Sequence, residues 1–469
     1  MEKHSARLGF ARALNHVIFF SLLAIMVLTA IPYGTVESWW IALFECFIFL
    51  LGILGLIQSF LGKTSPVNSL SLTTPLVLLV LFILFQSLPL FSPTDSAGWP
   101  GLRFSLSADP YTTRLFGIKL FALIVAGLLL LRYTNSKRRL RTLMYVVIGV
   151  GLASALFGIV RESFQQNAGF GLPALNNDGR GFAQFINRNH FGFLMEMALG
   201  LTLGLLVGTR GRVRILAFLP IAAFLWVALI LSNSRGGILA SLCQLLFLGV
   251  VLDPLRHFTR GTGTTWNRFQ NLVGGFAIRA ILSGCLIGLF AYGVSWVGGE
   301  RVVSNFEVAG YSFSQQGAEG NRENVSRKDI WTATWELIKA RPISGAGFGG
   351  YWIAIAKYHN ASGSFTPQEA HNDYLELLAS GGLIGLTLVT WFAIAFISRA
   401  RKTLRSPDPY LRAAAVGALT GIFGVMIHNF VDFGLHVTSN AFMFCSLIVI
   451  AISITDGDTE AAHDAVLSS

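Results

Sequence analysis

A series of apolar stretches, each about 20 residues long, recurs along most of the 469 residues and limits what this chain can fold into. A helix needs about 20 mostly apolar residues to cross the hydrocarbon core of a bilayer. Charged residues make up 13% of the chain, whereas soluble domains carry roughly 25%. The sequence therefore predicts an all-α, polytopic membrane protein and excludes an ordinary soluble enzyme. It predicts about twelve transmembrane helices, at 14–33, 39–61, 72–90, 114–132, 142–161, 187–208, 214–232, 236–252, 276–297, 372–398, 411–431 and 438–454.

The distribution of Lys and Arg predicts how the chain is oriented. With a cytoplasmic amino terminus, most of the 35 basic residues fall in or beside short cytoplasmic loops, as the positive-inside rule requires. Both termini are then cytoplasmic, and one large external loop, at about 298–371, carries short amphipathic helices. We expect residues 1–454 to form a single transmembrane domain, and residues 455–469, which carry four acidic residues among small ones, to form a disordered cytoplasmic tail.

Several classes of function are disfavoured by what the sequence lacks. The net charge of +11 is explained by the loop clusters, and no basic face with interleaved aromatic residues predicts a nucleic-acid partner. The four cysteines lie in apolar spans without CxxC spacing, so neither a disulfide framework nor a cysteine metal site is expected. No phosphate-binding loop of an ATPase occurs. We therefore expect no metal and no cofactor, and we expect membrane lipids to surround the chain.

Basic and polar residues gather at the predicted external ends of the spans, where arginine is costly unless an anion lies nearby. Arg180, Arg188, Asn189 and His190 stand before and at the start of the sixth span. Because a helix N-terminus presents free N–H groups and a partial positive charge, this cluster is a candidate phosphate site. The alternative is a helix cap with interfacial anchors.

A tight external turn at 232–237 separates the seventh and eighth predicted spans and carries Arg235 beside two glycines. The guanidinium group matches the geometry of phosphate oxygens. We expect Gly236 and Gly237 to let a ligand approach the backbone closely. In the alternative interpretation, Arg235 stabilises the C-terminus of the preceding helix.

The external loop ends with a further set of candidates. Arg322 and Arg327 precede apolar residues at helical spacing, including Trp331 and Trp335. This pattern predicts an amphipathic helix that lies on the membrane or on the bundle. Interfacial anchoring is the alternative role of the two tryptophans. A cation at the start of a helix is unfavourable unless an anion is nearby, which favours an anionic ligand for Arg327.

The tenth span begins with His371, Asn372 and Tyr374. The N-terminal end of a helix favours a neutral imidazole, which is the form that a general base requires. A lone interfacial histidine with a structural role is the alternative. Asp432, at the external end of the eleventh span, is a candidate for orienting a histidine or balancing the arginines, and a satisfied buried pair explains it equally well.

Two motifs among these residues resemble those of a known family. Arg235 is followed four positions later by Leu239, and His371 is followed by Asn372, nine residues, Gly382, two residues and Gly385. With these motifs the chain resembles the O-antigen ligase and O-antigen polymerase superfamily of bacterial envelope glycan assembly. The resemblance implies about twelve helices in the bacterial inner membrane, one large periplasmic loop before the histidine, and an active site that faces the periplasm.

The resemblance also implies an activity. Family members are glycosyltransferases that move a glycan from a polyprenyl diphosphate carrier to an acceptor sugar hydroxyl, without a metal or a nucleotide sugar. Arginines of the family bind the diphosphate and its histidine activates or positions the acceptor, roles that correspond to Arg235 and His371. A second loop arginine corresponds to Arg322, Arg327 or Arg341, and we prefer Arg327 as catalytic because it precedes the amphipathic helix. The candidate substrate-binding residues are Arg180, Arg188, Asn189, His190, Arg322, Asn372 and Tyr374.

Three functions compete at this point. A ligase hands the glycan to a different acceptor, typically the lipid A core, whereas a polymerase of the same superfamily hands it to another carrier-linked glycan. The motifs favour the ligase, and lipopolysaccharide, capsule and secreted exopolysaccharide all remain open as products. A transporter of a lipid-linked glycan is a third hypothesis, but such proteins have internal repeats, and the sequence shows none.

Overall fold

The computed structural model describes residues 2–31, 33–62, 70–90, 105–164, 181–208, 212–251, 301–302, 325–359 and 367–453, together with isolated residues between 281 and 292. The helices are α1 (Glu2–Ala30), α2 (Ser38–Gly62), α3 (Leu70–Gln86), α4 (Pro110–Tyr133), α5 (Lys137–Phe164), α6 (Arg188–Gly208), α7 (Arg212–Leu231), α8 (Arg235–Val251), α9 (Arg327–Ala340), α10 (Tyr351–Ile355), α11 (Asp373–Leu404), α12 (Pro409–His428) and α13 (Thr438–Ile452). A 3-10 turn, Gly434–His436, precedes α13. Two short strands, β1 (Arg301–Val302) and β2 (Val325–Ser326), pair antiparallel.

Apolar helices dominate the part of the chain that the structure describes, as the sequence predicts. Seven of them, α1, α2, α4, α5, α6, α11 and α12, are long and apolar enough to cross a membrane, and α3, α7, α8 and α13 are shorter apolar helices. Each overlaps one of the predicted spans. The remaining predicted span, at 276–297, lies largely outside the described residues, as do most of the external loop and the tail at 455–469. The count of twelve and the orientation stay predictions.

Helices α6 and α12 pack against each other through small residues at four-residue spacing. An added Cβ at Gly204 would lie less than 3.0 Å from the Cα of Gly417, closer than real Cβ atoms approach. Small residues of this kind let helix backbones come into direct contact inside a membrane. The contact positions are Gly200, Gly204 and Gly208 on α6 and Ala413, Gly417 and Gly421 on α12. This pairing places α6 at the centre of the bundle. Of its most apolar 18-residue stretch, 83% is buried.

Helix α11 is broken at Gly382, whose φ of 58° and ψ of −159° are not helical. The groups freed by the break bond to the segment at 342–347. Leu383 N donates to Pro342 O at 2.9 Å, and in the other direction Ala346 N donates to Ala379 O at 2.7 Å. Irregular backbone at membrane depth is stable only when its polar groups are satisfied in this way. The motif glycine therefore has a structural role here.

The side chain of Gln86, at the end of α3, completes this junction. It is fully buried, and its Nε2 donates to Ser344 O at 2.6 Å and to Ser380 O at 3.0 Å. One amide thus bonds both to the segment at 342–347 and to α11 just before its break. The junction is built from three segments that are far apart in the sequence.

The amphipathic helix predicted after Arg327 is confirmed as α9. Its buried positions, which include Ile330, Thr334 and Leu337, face α11, whereas Trp335 is 51% exposed. Trp331 Nε1 donates to Ala370 O at 3.1 Å, just before α11 begins. These contacts hold the start of α9 beside the start of α11.

Candidate functional site

The buried carboxylate of Asp432 is the centre of the candidate site. It lies between α12 and the 3-10 turn and has no exposed surface. Its Oδ2 accepts a hydrogen bond from Asn189 Nδ2 and lies 3.6 Å from Arg327 Nη2. Its Oδ1 lies 3.6 Å from His371 Nδ1 and accepts a hydrogen bond from Phe433 N at 2.9 Å. One carboxylate therefore gathers side chains from α6, α9 and the connection before α11.

The surroundings of Asp432 favour its ionised form. Burial by itself would raise the pKa of this carboxyl, but the His371 imidazole and the charges of Arg327 and His190 hold the pKa well below its usual range. A buried carboxylate is stable only when such partners surround it. The site consequently has a fixed negative charge among its cationic groups.

His371 reaches Asp432 because its backbone leaves the ordinary conformation. Its φ is +48°, a left-handed conformation that costs a non-glycine residue roughly 1–3 kcal/mol and occurs mainly where surrounding structure enforces it. The next residue, Asn372, caps α11 by accepting hydrogen bonds from Tyr374 N and Leu375 N, both at 3.1 Å. The His371 ring also lies edge-on to Phe433, with ring centroids 4.8 Å apart. The imidazole is thus directed towards the carboxylate.

The turn that carries Arg235 is bonded to the same carboxylate through two side chains. Asn233 takes a φ of 55°, and Ser234 then caps α8 by accepting a hydrogen bond from Gly237 N at 3.1 Å. Ser234 Oγ also donates to Asn189 Oδ1 at 2.8 Å. Arg235 is half-buried and is the first residue of α8. It directly follows Ser234, which is connected to Asp432 through Asn189.

Four helices begin around Asp432. Asn189 is at the start of α6, Arg235 at the start of α8 and Arg327 at the start of α9, and His371 immediately precedes the cap of α11. Helix N-termini carry partial positive charge and N–H donors, and they favour anions. Together with the arginines they make this end of the bundle suited to a negatively charged ligand.

The two glycines after Arg235 have a different role from the one expected. An added Cβ at Gly236 would lie 2.5 Å from His428 Nε2, and one at Gly237 would lie 2.7 Å from Leu229 Cδ1. The expectation that these glycines leave room for a ligand is wrong, because protein side chains occupy that space. His428 is itself held by Glu196, whose Oε1 lies 2.6 Å from its Nδ1.

The other predicted substrate-binding residues differ in what the structure shows. The Tyr374 hydroxyl donates to Met426 O on α12 at 2.8 Å. His190 is buried, and its ring lies edge-on to Phe433 with centroids 5.2 Å apart. Arg188 is half-buried at the first position of α6. Arg180 and Arg322 lie outside the described residues.

A second polar cluster contains His436, whose ring lies edge-on to Phe433 with centroids 5.7 Å apart. The carboxylate oxygens of Glu369 and Glu376 and a ring nitrogen of His436 lie within 4.8 Å of one another. Among the residues that the structure describes, this is the group that could hold a metal ion. Burial raises the pKa of the Glu369 carboxyl to about 6, against the opposing effects of a hydrogen bond with Glu376 and the charge of Lys119. Lys119 Nζ donates to His436 O at 2.6 Å. This ammonium already supplies positive charge to the cluster, so the cluster does not require a metal.

Several residues of these two clusters and their surroundings are not identified by the sequence analysis. Glu196 and Lys119 interrupt apolar spans, and ionisable residues in a span are candidates for function, so a signal for them was present. Ser234 gives no such signal, because its bond to Asn189 depends on how α6 and α8 pack. Asp432 is recognisable as a candidate, but its three partners come from distant segments.

The fold and the site together define a multi-pass helical membrane protein with a buried His–Asp–Arg constellation where several helices begin. Residues 220–390 match the family model described as O-antigen ligase, and this match supports the resemblance to the O-antigen ligase and polymerase superfamily. No curated protein matches the chain. The matched segment contains Arg235, Arg327 and His371, whereas Asn189 and Asp432 lie outside it. The match and the apolar helices support a membrane enzyme of polysaccharide or lipopolysaccharide biosynthesis, similar to O-antigen ligases.

Proposed function

We propose that this protein transfers a glycan from a polyprenyl diphosphate carrier to an acceptor sugar hydroxyl at the periplasmic face of the bacterial inner membrane. The observation that carries the proposal is the convergence of His371, Arg327 and Asn189 on Asp432, beside the turn that bears Arg235. The site offers a base and cations within one buried constellation. These are the groups that glycan transfer from a diphosphate requires.

The arginines act on the leaving group. When the bond between the anomeric carbon and the diphosphate breaks, its electron pair passes to the diphosphate oxygen, and fixed cations and N–H donors stabilise the developing charge. Arg235 and Arg327 supply planar guanidinium groups that match phosphate oxygens. Asp432 holds Arg327 by an ion pair at 3.6 Å, with 5% of the arginine side chain exposed. These cations perform the stabilisation without a metal.

His371 acts on the acceptor. An Nδ1–H directed at Asp432 leaves the lone pair of Nε2 to accept the proton of the acceptor hydroxyl. The hydroxyl oxygen then forms a bond to the anomeric carbon as the diphosphate departs, and direct attack of this kind inverts the configuration. Asp432 stabilises the resulting imidazolium and keeps the ring oriented. The roles of Arg180, Arg188, His190, Arg322, Asn372 and Tyr374 in substrate binding are part of this proposal.

The test is glycan transfer by the purified protein in lipid nanodiscs, with a carrier-linked glycan as donor and isolated lipid A core as acceptor. His371→Ala should lower kcat by a factor of about 100 or more, because a positioned base contributes roughly 10²–10⁴-fold. His16→Ala is the matched control, since His16 is exposed on α1 and should leave kcat unchanged. Full transfer by His371→Ala would overturn the proposal.

The same reaction separates a ligase from a polymerase. A ligase, which we favour, forms product only when the lipid A core is added. A ladder of longer carrier-linked glycans in its absence would instead assign the polymerase activity. Arg327→Lys tests the diphosphate role in either case, because lysine keeps the charge but loses the planar fork, and we expect a raised KM for the donor.

A transporter of lipid-linked glycan remains the third candidate, and the break in α11 is a feature that transporters share. Here the described backbone groups of the break bond to 342–347 and to Gln86, so they are not presented to a passage. Vesicles containing the wild-type protein and a fluorescent lipid-linked glycan provide the test. Lipid movement that is lost in His371→Ala while glycan transfer persists would replace the enzyme with a transporter.

A further inference from the structure

The amide of Asn189 is bonded at both of its ends by protein groups. Its Nδ2 donates to Asp432 Oδ2, and its Oδ1 accepts from Ser234 Oγ at 2.8 Å. The reversed orientation would place the amide oxygen against a carboxylate, which has no proton to donate. The orientation of the amide is therefore set by Asp432. Its backbone is held as well, because Asn189 N donates to Asn187 Oδ1 at 2.8 Å.

We infer that Asn189 is a positioning residue, which couples the turn bearing Arg235 to the Asp432–His371 pair, and that it does not bind substrate. The inference rests on the proposed function. A continuous series of contacts runs from Gly237 N through Ser234 Oγ, the Asn189 amide and Asp432 to His371. The group expected to bind the leaving diphosphate and the group expected to activate the acceptor are thereby fixed to one another.

A neutral amide suits this position better than a charged side chain. A hydrogen bond from Asn189 orients the Asp432 carboxylate without neutralising it, so its negative charge stays available to an imidazolium at His371. Arginine or lysine here would compete with His371 for that charge. A carboxylate here would repel Asp432. Asparagine combines a donor for Asp432 with an acceptor for Ser234, which neither serine nor alanine does at the same reach.

A purely structural role is the alternative, since Asn189 is also at the start of the tightly packed helix α6. The two roles differ in a double-mutant cycle measured by kcat of glycan transfer. If Asn189 acts through Asp432, Asn189→Ala should lower kcat by about 10- to 100-fold and change the donor KM much less. The double variant Asn189→Ala/Asp432→Asn should then be no slower than Asp432→Asn alone, because groups that act as a unit are non-additive. Losses that multiply would overturn the inference.

Asn189→Asp provides an independent signature. The new carboxylate faces Asp432, with Arg327, His371 and His190 as the other charged or titratable groups around it. Two carboxylates at hydrogen-bond distance share one proton, and a protonated carboxyl donates much as the amide does. The activity of Asn189→Asp relative to wild type should therefore increase as the pH falls from about 8 to about 6. A constant ratio over this range would contradict the positioning role.

Ser234→Ala removes the hydrogen bond to Asn189 and the cap that accepts from Gly237 N. It leaves the bond between Asn189 and Asp432 in place, so it should lower kcat only several-fold. Elution and melting temperature of each variant in detergent show whether it is folded. If His371→Ala abolishes transfer while Asn189→Ala has wild-type kcat, the inference fails and the proposed function stands. If His371→Ala transfers fully, the proposed function fails and the inference fails with it.

Discussion

Replacing Gly382 with alanine should destabilise the junction between α11 and the segment at 342–347. The backbone of Gly382 has φ 58° and ψ −159°, a region that only glycine enters readily, and alanine there costs roughly 1–3 kcal/mol. An added Cβ would also lie 2.7 Å from Gly345 N and within 3.0 Å of Ile343 O. Moving that segment away breaks the bonds that it accepts from Leu383 N and Ile384 N, at about 0.5–1.5 kcal/mol each. We therefore expect a total loss of about 2–6 kcal/mol.

Thermal unfolding in detergent, followed by the fraction that elutes as a folded protein, measures this loss. Gly382→Ala should melt at least about 4 °C below wild type, since 1 kcal/mol shifts the melting temperature of a mid-sized domain by about 2–4 °C. Gly127→Ala on α4 is the matched control, because an added Cβ there meets nothing within 4 Å. Alanine favours a helix over glycine by about 1 kcal/mol, so the control should melt at or above wild type. Equal melting of Gly382→Ala and wild type would refute the reasoning.

Two further outcomes concern stability. Gly204→Ala should lower the free energy of unfolding by about 1–3 kcal/mol, because its Cβ would overlap Gly417 and force α6 from α12; unchanged melting would contradict the direct backbone contact. The pKa of Glu369 is raised from 4.5 to about 6 by burial, so its contribution to stability is present below pH 4.5 and is lost as the pH rises through about 6. The melting temperature should accordingly fall between pH 5 and pH 7, and Glu369→Gln should reduce that fall, whereas an identical slope in the variant would assign it to other groups.

The apolar spans are the part of the fold that the sequence predicts best. A bilayer demands a minimum apolar length for each helix, and that demand is visible in one segment without knowledge of its neighbours. The amphipathic helix after Arg327 is predictable for a similar reason, since its period lies within one stretch. The break at Gly382 is not predictable in this way, because the freed backbone groups are satisfied by 342–347 and by Gln86 on α3. The motif glycines Gly382 and Gly385 mark where the helix breaks, but they do not identify the segments that bond to the break.

The candidate site likewise contains residues that can be recognised within one segment and contacts that depend on how distant segments pack. Arg235, Arg327 and His371 are unusual for their local surroundings, so each could be singled out in its own segment. Asp432 joins them, yet nothing in the residues around it tells whether a histidine, an arginine or an asparagine will be its partner. Asn372 shows the reverse case, because it belongs to a functional motif while its Oδ1 is used to cap α11. Sequence identifies candidates for chemistry, and packing decides which of them touch.

The convergence of four helix starts explains why a carboxylate can be buried at the centre of a cationic site. Asp432 would be strongly destabilising alone, but each nearby helix N-terminus favours an anion by about 0.3–1 kcal/mol, and by up to about 2 kcal/mol when partly buried. The same field acts on any anion that enters beside Arg235. Because Asp432 is already held by Asn189, Arg327 and His371, a bound diphosphate need not displace it. The carboxylate then serves the histidine while the arginines and helix ends attract the phosphate groups, and one constellation assists both halves of the proposed transfer.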